Sequence, residues 1–366
     1  MSEPSAGAVF PPPEAVAERV VEAAVGALDL FSIHLGHQLG YYRSLADDGP
    51  AAPVDLARRT GTAERYAREW LEQQAVTGFL ACDDPDAAAD RRVYRLPEGY
   101  ADVFVNPDSP SSVAGVAHVV AGMLSPLAEV VAAHRSGRGV PYAAYGPDLR
   151  AGMAEVSRPV FANQLGRVWL PALPDVHARL LAPPPARVAD IGVGEGWSSI
   201  ALARACPEVH VDGFDLDPAS IAAARENADA AGIADRVRFE VRDVDDPALA
   251  GRYDLATAFD CVHDMADPVS VLRAMGRLVA GRGPVLVGDS SVPDAFAPPG
   301  DANERLSYGF SLFHCLPVGM SEQPSVATGG PMRPSVFRRY AEAAGFRRVT
   351  ELLVDEFGVR LYRLDG

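Results

Sequence analysis

The sequence has 366 residues, which is long for one domain and sufficient for two, and 48% of them are hydrophobic, so a sizeable core can form. A formal net charge of −16 opposes non-specific binding to nucleic acid or to anionic membranes. The four cysteines are scattered without a CxxC pair, which favours reduced thiols. Because we find neither a leader peptide nor an apolar run long enough to span a bilayer, we predict a cytoplasmic protein.

The N-terminal part of the chain has the element order of a winged helix. Residues 1–13 are small and rich in proline, and we expect them to be disordered. Helical spacing predicts a helix from Glu14 to about Leu45, with an apolar stripe from Val16 to Leu35. Thr62 is expected to cap a later helix. Two further helices are predicted at 54–61 and 62–76, and two hairpin strands at 78–81 and 92–96. These elements predict a winged-helix domain over 14–105.

A helical connector is predicted over 106–182. Two segments rich in apolar residues, Ser111–His134 and Asp148–Leu173, have helical character and are expected to wall a pocket. Three consecutive prolines, Pro183 to Pro185, form a stiff boundary before the next strand.

Strands and helices alternate from residue 187 onward, which predicts a parallel, doubly wound α/β sheet over 183–366. The strands are predicted at 187–191, 209–214, 237–241, 253–259 and 284–289, and the helices at 197–205, 218–231 and 268–280. After an irregular segment at 290–333, expected to be a lid or binding loop, a helix is predicted over 334–345. Two final strands, 347–354 and 357–363, predict an antiparallel hairpin.

A glycine-rich turn follows the first of these strands, in Val188-Ala-Asp-Ile-Gly-Val-Gly-Glu-Gly196. Strand, glycine turn and helix N-terminus make a nucleotide-sized crevice with free backbone N–H donors. The spacing of Gly192, Gly194 and Gly196 departs from the G-x-G-x-x-G of dinucleotide sites. Asp190 would repel a pyrophosphate and suits a positive group such as the ammonium of a methionine moiety. The alternative is a glycine turn of an unrelated α/β protein.

The stretch resembles motif I of class I S-adenosylmethionine (SAM) methyltransferases, which implies SAM as the cofactor. An acid about 20 residues past the glycines accepts hydrogen bonds from ribose hydroxyls. This predicts that role for Asp215, with Leu216 beside it, whereas Asp217 is interpreted as a helix cap. The resemblance implies that Asp243 contacts the adenine amino group and that Val244 supplies a backbone N–H; the alternative for Asp243 is a solvated loop acid.

The resemblance places the methionine end of the cofactor and the substrate at the end of the fourth strand. Phe259 and Asp260 stand there and are counted with the cofactor site, although Phe259 is equally consistent with core.

The segment Cys261-Val-His-Asp-Met-Ala-Asp267 follows that strand. It resembles the His-Asp motif of small-molecule O-methyltransferases with an N-terminal winged-helix dimerisation domain, and the chain also resembles an actinobacterial group of winged-helix methyltransferases. The resemblance implies that His263 is a general base, since histidine titrates near neutral pH. Met265 stands where the family usually has Trp, and a structural histidine at a helix start remains the alternative.

Three neighbouring side chains complete the candidate chemistry. Asp264 is expected to cap the following helix or to orient His263. His314 is either a second base or a loop histidine. The spacings C-x-H and H-C at Cys261, His263, His314 and Cys315 are poor for a tetrahedral shell, so no metal is predicted.

The charges of the would-be recognition helix argue against DNA binding, since Arg65 and Arg68 are outnumbered by Glu64, Glu69 and Glu72. We therefore predict a homodimer through the stripe at 16–35, with intrachain core as the alternative. The predicted function is SAM-dependent methylation of a small molecule, most simply at oxygen. Alternatives are N- or C-methylation, a SAM-sensing DNA-binding regulator, and non-methyl chemistry on the same fold.

Overall fold

A computed structural model of the protein describes residues 10–354 and 358–366. The chain divides into two compact units, one ending at Asn106 and the other beginning at Pro107. The predicted disordered tail lies outside the described residues up to residue 9, and the first helix begins at Pro13.

The first unit is mainly helical. Its elements are α1 (Pro13–Gln38), α2 (Tyr41–Asp47), α3 (Pro53–Thr60), α4 (Glu64–Thr77), β1 (Ala81–Cys82), β2 (Tyr94–Arg95) and α5 (Ala101–Phe104). The two short strands pair antiparallel, which gives the predicted hairpin. Its aromatic core joins α2, α4 and α5, because Tyr42 stacks on Phe104 with ring centroids 4.5 Å apart and meets Trp70 edge-on at 5.0 Å.

Two predictions for this unit were wrong in detail. The helix expected from residue 14 to about 45 breaks at Gly40, whose φ of 68° lies in the left-handed region. Thr62 does not cap the next helix, because Ala63 is the N-cap of α4 and the Thr62 hydroxyl bonds with Tyr41 at 3.0 Å. The Thr62 side chain therefore makes a tertiary contact with Tyr41 instead of the helix cap that the local sequence predicted.

The second unit begins with helices. They are α6 (Gly115–Leu124), α7 (Leu127–Ser136), α8 (Gly146–Val160), continued by a π-helix at Phe161–Trp169, and α9 (Pro174–Leu181). The helical segment predicted over 111–134 is divided into two helices at Ser125 and Pro126, because proline cannot continue the backbone hydrogen bonds. In the described part of the chain no single helix is long and apolar enough to cross a bilayer, and one pair bent by 57°, α6 with α7, meets that test by length and composition.

A seven-stranded sheet forms the centre of the second unit. Its strands are β3 (Arg187–Ile191), β4 (His210–Asp215), β5 (Val237–Val241), β6 (Leu255–Phe259), β7 (Val285–Ser290), β8 (Arg348–Val354) and β9 (Val359–Asp365). Their order is β5-β4-β3-β6-β7-β9-β8, and β9 runs antiparallel to both its neighbours. The predicted parallel sheet with a terminal antiparallel hairpin is confirmed; the predicted turn at 356–358 lies outside the described residues except for Gly358.

Helices cover both faces of this sheet. They are α10 (Trp197–Ala205), α11 (Pro218–Ala230), α12 (Pro268–Val279) and α15 (Pro334–Ala344). The unit also contains α13 (Ala302–Phe310) and α14 (Leu316–Gly319). Alternate residues of β3 enter opposite cores, Val188 on the side of α10 and α11, Ala189 on the side of α12 and α15. The strand order reverses between β3 and β6, and α/β sheets bind ligands outside the carboxyl ends of strands at such a point.

The segment 290–333 is more regular than predicted. It carries α13, a π-helix at Ser311–Cys315 and α14. Asp301 caps α13 by accepting a hydrogen bond from the Glu304 N–H at 2.8 Å. Asp followed three residues later by Glu is a sequence signal for a helix start, and the surrounding prolines and glycines hid it.

Candidate active site

The glycine turn lies at the reversal of strand order. Gly192, Gly194 and Gly196 have φ of 65°, 52° and 86°, which side-chain-bearing residues rarely adopt. A Cβ at Gly192 would stand 2.7 Å from the Cys261 sulfur and one at Gly196 would stand 2.6 Å from the Phe239 ring, whereas one at Gly194 would meet nothing within 4 Å. Gly194 therefore faces open space, and the turn forms a cradle at the N-terminus of α10.

Asp190 lies in β3 just before this turn, and its side chain is buried. The side chain is 1% exposed and accepts hydrogen bonds from Ser198 at 2.5 Å, Ser199 at 2.7 Å and Thr257 at 2.7 Å. Burial raises the pKa of the carboxyl, and the three hydroxyls oppose that rise. These contacts argue against the predicted direct contact of Asp190 with a ligand ammonium, because the carboxylate already braces β3 against α10 and β6.

Asp215 ends β4 beside the cradle. Its Oδ2 accepts a hydrogen bond from the Gly194 N–H at 2.8 Å, and its Oδ1 accepts one from the Asp217 N–H at 2.9 Å. Burial raises the pKa of this carboxyl. A carboxylate has about four lone-pair sites, so each oxygen can still accept a bond from a hydroxyl. Asp217 caps α11 through the Ser220 N–H at 3.0 Å, which agrees with its interpretation, and Leu216 is 63% exposed.

The remaining predicted cofactor residues divide between surface and core. Asp243 is exposed, and its carboxylate accepts a hydrogen bond from the Asp245 N–H at 2.9 Å. Val244 is buried in the core on the α12 side of the sheet. Phe259 packs against Phe161 and Trp169, each with a centroid distance of 5.4 Å, so its ring belongs to the core on the opposite side.

Asp260 directly follows β6, and its side chain is exposed. Its backbone has φ of 52°, a conformation that costs a non-glycine residue energy, and its N–H donates to the Gly288 carbonyl at 2.8 Å. The side chain reaches solvent but is surrounded by protein. The resulting loss of hydration raises its pKa to about 6; His263 opposes the rise, whereas Asp289 and Asp264 add to it.

His263 is buried between two acids in the single 3-10 turn Val262–Asp264. Its Nδ1 lies 2.9 and 3.0 Å from the two carboxylate oxygens of Asp289, and its Nε2 lies 3.2 Å from Asp264 Oδ1. Burial disfavours the imidazolium, but the charges of Asp289 and Asp264 outweigh it and hold the pKa of His263 well above its usual value. Asp264 thus lies beside the ring, but within the described residues its Oδ1 makes no hydrogen bond of acceptable geometry. Its alternative role as a helix cap was wrong, since Asp267 caps α12.

Asp289 is the member of this cluster that sequence reasoning missed. It lies in β7, is 2% exposed, and also accepts a hydrogen bond from the Ser290 N–H at 2.8 Å. The available signal was an acid at the carboxyl end of an otherwise apolar strand, Val285-Leu-Val-Gly-Asp289. Acids at the same position of β3 and β4 had been singled out.

His314 has the opposite environment to His263. It lies in the π-helix at 311–315, so its interpretation as a loop histidine was wrong. The ring is 3% exposed and meets Tyr142 and Tyr145 edge-on, with centroid distances of 5.8 and 5.0 Å. Its Nδ1 is 3.8 Å from Asp264 Oδ2. Burial lowers the pKa of His314 despite the nearby carboxylate, so this imidazole is neutral at physiological pH.

The residues around the cradle fit a SAM-sized group. The open side of Gly194, the lone pairs of Asp215 and the accessible Asp260 carboxylate offer backbone donors, hydroxyl acceptors and a negative charge. Glu195 adds a carboxyl whose pKa burial raises to about 7, with Glu155 adding to the rise and Arg150 opposing it. Neither Arg150 nor Glu195 was predicted from the sequence.

Comparison with known proteins gives a match for each of two parts of the chain. Residues 184–315 match a methyltransferase domain, and residues 26–105 match an Rv2258c-like winged helix-turn-helix domain. A ubiquinone biosynthesis O-methyltransferase of Xanthomonas axonopodis is 33% identical over 125 residues, which cover 33% of this chain and 50% of that protein. Norajmaline N-methyltransferase of Rauvolfia serpentina is 28% identical over 104 residues, 28% and 35% of the two chains. The chain thus spans about half or less of these relatives.

Solved structures match over almost the whole chain. Human N-acetylserotonin methyltransferase has a TM-score of 0.71 at 19% identity, covering 99% of both chains. The mitomycin 7-O-methyltransferase has a TM-score of 0.67 at 21% identity, covering 96% and 98%. At such identities the likeness establishes the fold. Residues 184–315 therefore match a methyltransferase domain, and they follow a segment, 26–105, that matches an Rv2258c-like winged helix-turn-helix domain.

Proposed function

We propose that this protein transfers the methyl group of SAM to a hydroxyl of a small molecule, with His263 as the proton acceptor. The observation that carries this proposal is the buried His263–Asp289 pair, placed directly after β6 at the switch point that also holds the glycine cradle. Bound SAM supplies a methyl group activated by its sulfonium, so the protein mainly aligns the reactants and manages one proton.

The cofactor contacts follow from which polar groups are accessible. We assign the ribose hydroxyls to Asp215, and the methionine ammonium to Asp260 in place of the enclosed Asp190. We assign the adenine end to Asp243 and the Val244 N–H, with Leu216 beside it. Gly192, Gly194 and Gly196 allow the backbone to approach the ligand. Asp215→Ala should weaken SAM binding in calorimetry, and Ser270→Ala, a change on α12 away from the turn, serves as the matched control.

The proton-handling role gives a sharper test. Asp289 holds Nδ1, so the nitrogen that would exchange a proton with a hydroxyl is Nε2, which lies 3.2 Å from Asp264 Oδ1. Because the pKa of His263 is raised, the imidazole must first lose a proton, and turnover should rise with pH. His263→Gln should lower turnover of radiolabelled SAM with a hydroxylated acceptor by ~10²–10⁴-fold while SAM affinity stays within a factor of two to three. Equal turnover in the variant would remove the base assignment.

N-methylation is the second candidate, and the same raised pKa favours it. An amine with a free lone pair attacks the methyl group without prior loss of a proton, and a protonated His263 would not hinder that step. The two cases differ in products, so mass spectrometry of labelled products from phenol and amine acceptor panels separates them. Only nitrogen products, with turnover insensitive to His263→Gln, would favour the second candidate.

We further propose that the protein is a homodimer held by α1. This helix presents an unusually large exposed apolar surface, with exposed fractions of 45–66% at Val16, Val20, Val21, Val25, Leu28 and Leu35. In α4, Glu64, Glu69 and Glu72 outnumber Arg65 and Arg68, which disfavours contact with phosphate. Glu69 pairs with Arg65, and Glu72 pairs with Arg92. Sedimentation should give a dimer that Leu28→Asp dissociates and Leu181→Asp, at an exposed leucine of α9, does not.

A further inference from the structure

We propose that His263, Asp264 and Cys315 form a binding site for a divalent transition-metal ion of the zinc type, with one coordination position left open. One donor atom from each residue lies within 4.8 Å of the other two. The spacings C-x-H and H-C argued against a metal site, because that argument compared only residues that are neighbours along the chain. The fold instead brings the 3-10 turn after β6 against the π-helix at 311–315.

The donor set has the chemistry that zinc prefers. An imidazole nitrogen, a thiolate sulfur and a carboxylate oxygen are all ordinary zinc ligands, and three protein ligands with one open position are typical of non-structural zinc sites. Cys315 is buried, belongs to no disulfide, and is hydrogen-bonded to His263. A harder ion such as magnesium would not select the sulfur.

Asp289 prepares His263 for this role. Metal-binding histidines usually donate their second ring N–H to a carboxylate, which fixes the ring and raises its basicity. Asp289 accepts that bond at 2.9 and 3.0 Å, is 2% exposed, and is itself held by the Ser290 N–H. The ring therefore presents Nε2 to Asp264 and Cys315.

A carboxylate oxygen in the cluster also lacks a proper donor. Asp264 Oδ1 is buried and makes no hydrogen bond of acceptable geometry within the described parts of the chain, although His263 Nε2 is 3.2 Å away. A buried charged oxygen without a donor is costly, and a cation would satisfy it. A second grouping, Asp260 with His263 and Asp289, is less suitable because it contains no sulfur and because Asp289 already holds the Nδ1 of His263.

Metal binding and proton acceptance exclude one another, because both need the Nε2 lone pair of His263. Zinc should therefore inhibit methyl transfer reversibly, and a chelator should restore it. The binding test itself needs neither SAM nor acceptor. Its failure would leave the proposed function intact, and the failure of methyl transfer would leave the site intact.

Cobalt replaces zinc as a coloured probe. The reduced, full-length protein is freed of metal with a chelator and titrated with Co²⁺. We expect one ion per chain, a near-ultraviolet charge-transfer band from thiolate to cobalt, and loss of the spectrum when Zn²⁺ is added. Cys315→Ser should abolish the charge-transfer band, whereas Cys206→Ser, at another buried free cysteine, should keep it. Asp289→Asn should keep the band and weaken binding ~10–100-fold.

Several outcomes would overturn the site. One is the absence of saturable binding. Another is binding without the thiolate band, which would indicate the grouping of Asp260, His263 and Asp289 instead. The third is loss of the band in Cys261→Ser but not in Cys315→Ser. If Cys315→Ser does not fold, X-ray absorption of the zinc-loaded wild type decides instead. One sulfur at ~2.3 Å with nitrogen or oxygen at ~2.0–2.2 Å is the expected shell. A shell without sulfur rejects the proposal.

Discussion

Asp289→Asn tests whether the negative charge of Asp289 raises the pKa of His263 in the proposed site. The carboxylate faces the His263 ring with both oxygens at 2.9–3.0 Å, and the two side chains are 2% and 5% exposed. A hydrogen bond to a charged group contributes ~1.5–3 kcal/mol. Removing the charge should weaken this interaction and lower the pKa of His263. The amide oxygen still accepts the Nδ1–H bond, so the ring keeps its place.

Nuclear magnetic resonance measures this shift without a known acceptor. The chain has eight histidines, so labelling their Cε1–H groups gives few signals, and His263→Gln identifies the relevant one. The wild-type signal should titrate well above the ordinary value of ~6.5, and the Asp289→Asn signal should titrate lower. Asp243→Asn, the same change at an exposed acid, should leave it unmoved. A wild-type titration at or below the ordinary value would refute the electrostatic reasoning.

The same shift makes a prediction for stability. A histidine whose pKa is raised in the folded state contributes stability that is fully present below its unfolded pKa, ~6.5, and is lost as pH rises through the folded value. Asp289→Asn should therefore lower the free energy of unfolding most at acidic pH, and the difference from wild type should narrow at alkaline pH. Urea unfolding at both pH values measures this, and a deficit that widens with pH would contradict the assignment.

Three further outcomes are expected. Thr257→Val removes one of the three hydroxyls on Asp190 and should lower the free energy of unfolding by ~1–3 kcal/mol, whereas Thr350→Val, at an exposed strand position, should change it by less than ~0.5 kcal/mol. Gly192→Ala should destabilise the fold more than Gly194→Ala, because only the former meets a neighbouring sulfur; both should weaken SAM binding in calorimetry. Gel-shift assays at physiological salt should detect no complex with duplex DNA, since acids outnumber basic residues in α4 and the whole chain carries a formal net charge of −16.

The sheet could be predicted from the sequence because its signals are local. Each buried parallel strand is a short apolar run, and each following helix begins with a turn or capping residue that the sequence displays, as at Gly196 and Asp217. The terminal hairpin was predicted from two strand-like segments, 347–354 and 357–363. Where local signals conflicted, prediction failed: Gly40 divides a helix whose apolar stripe continues through it, and Asp301 starts a helix within a segment rich in proline and glycine.

Several residues of the site, His263 among them, could be named from the sequence, but Asp289 and the charge states of the two histidines could not. His263 and His314 have the same kind of side chain, and both are nearly fully buried. The contribution of burial lowers the pKa of each, but the total shift is upward for His263 and downward for His314. Their difference arises because Asp289, 26 residues away in the sequence, lies against one ring, whereas Tyr142 and Tyr145 lie against the other. The pairing is created by β6 and β7 ending side by side. A motif can therefore identify a candidate base, but the charge of that base is set by which strand lies next to it in the sheet.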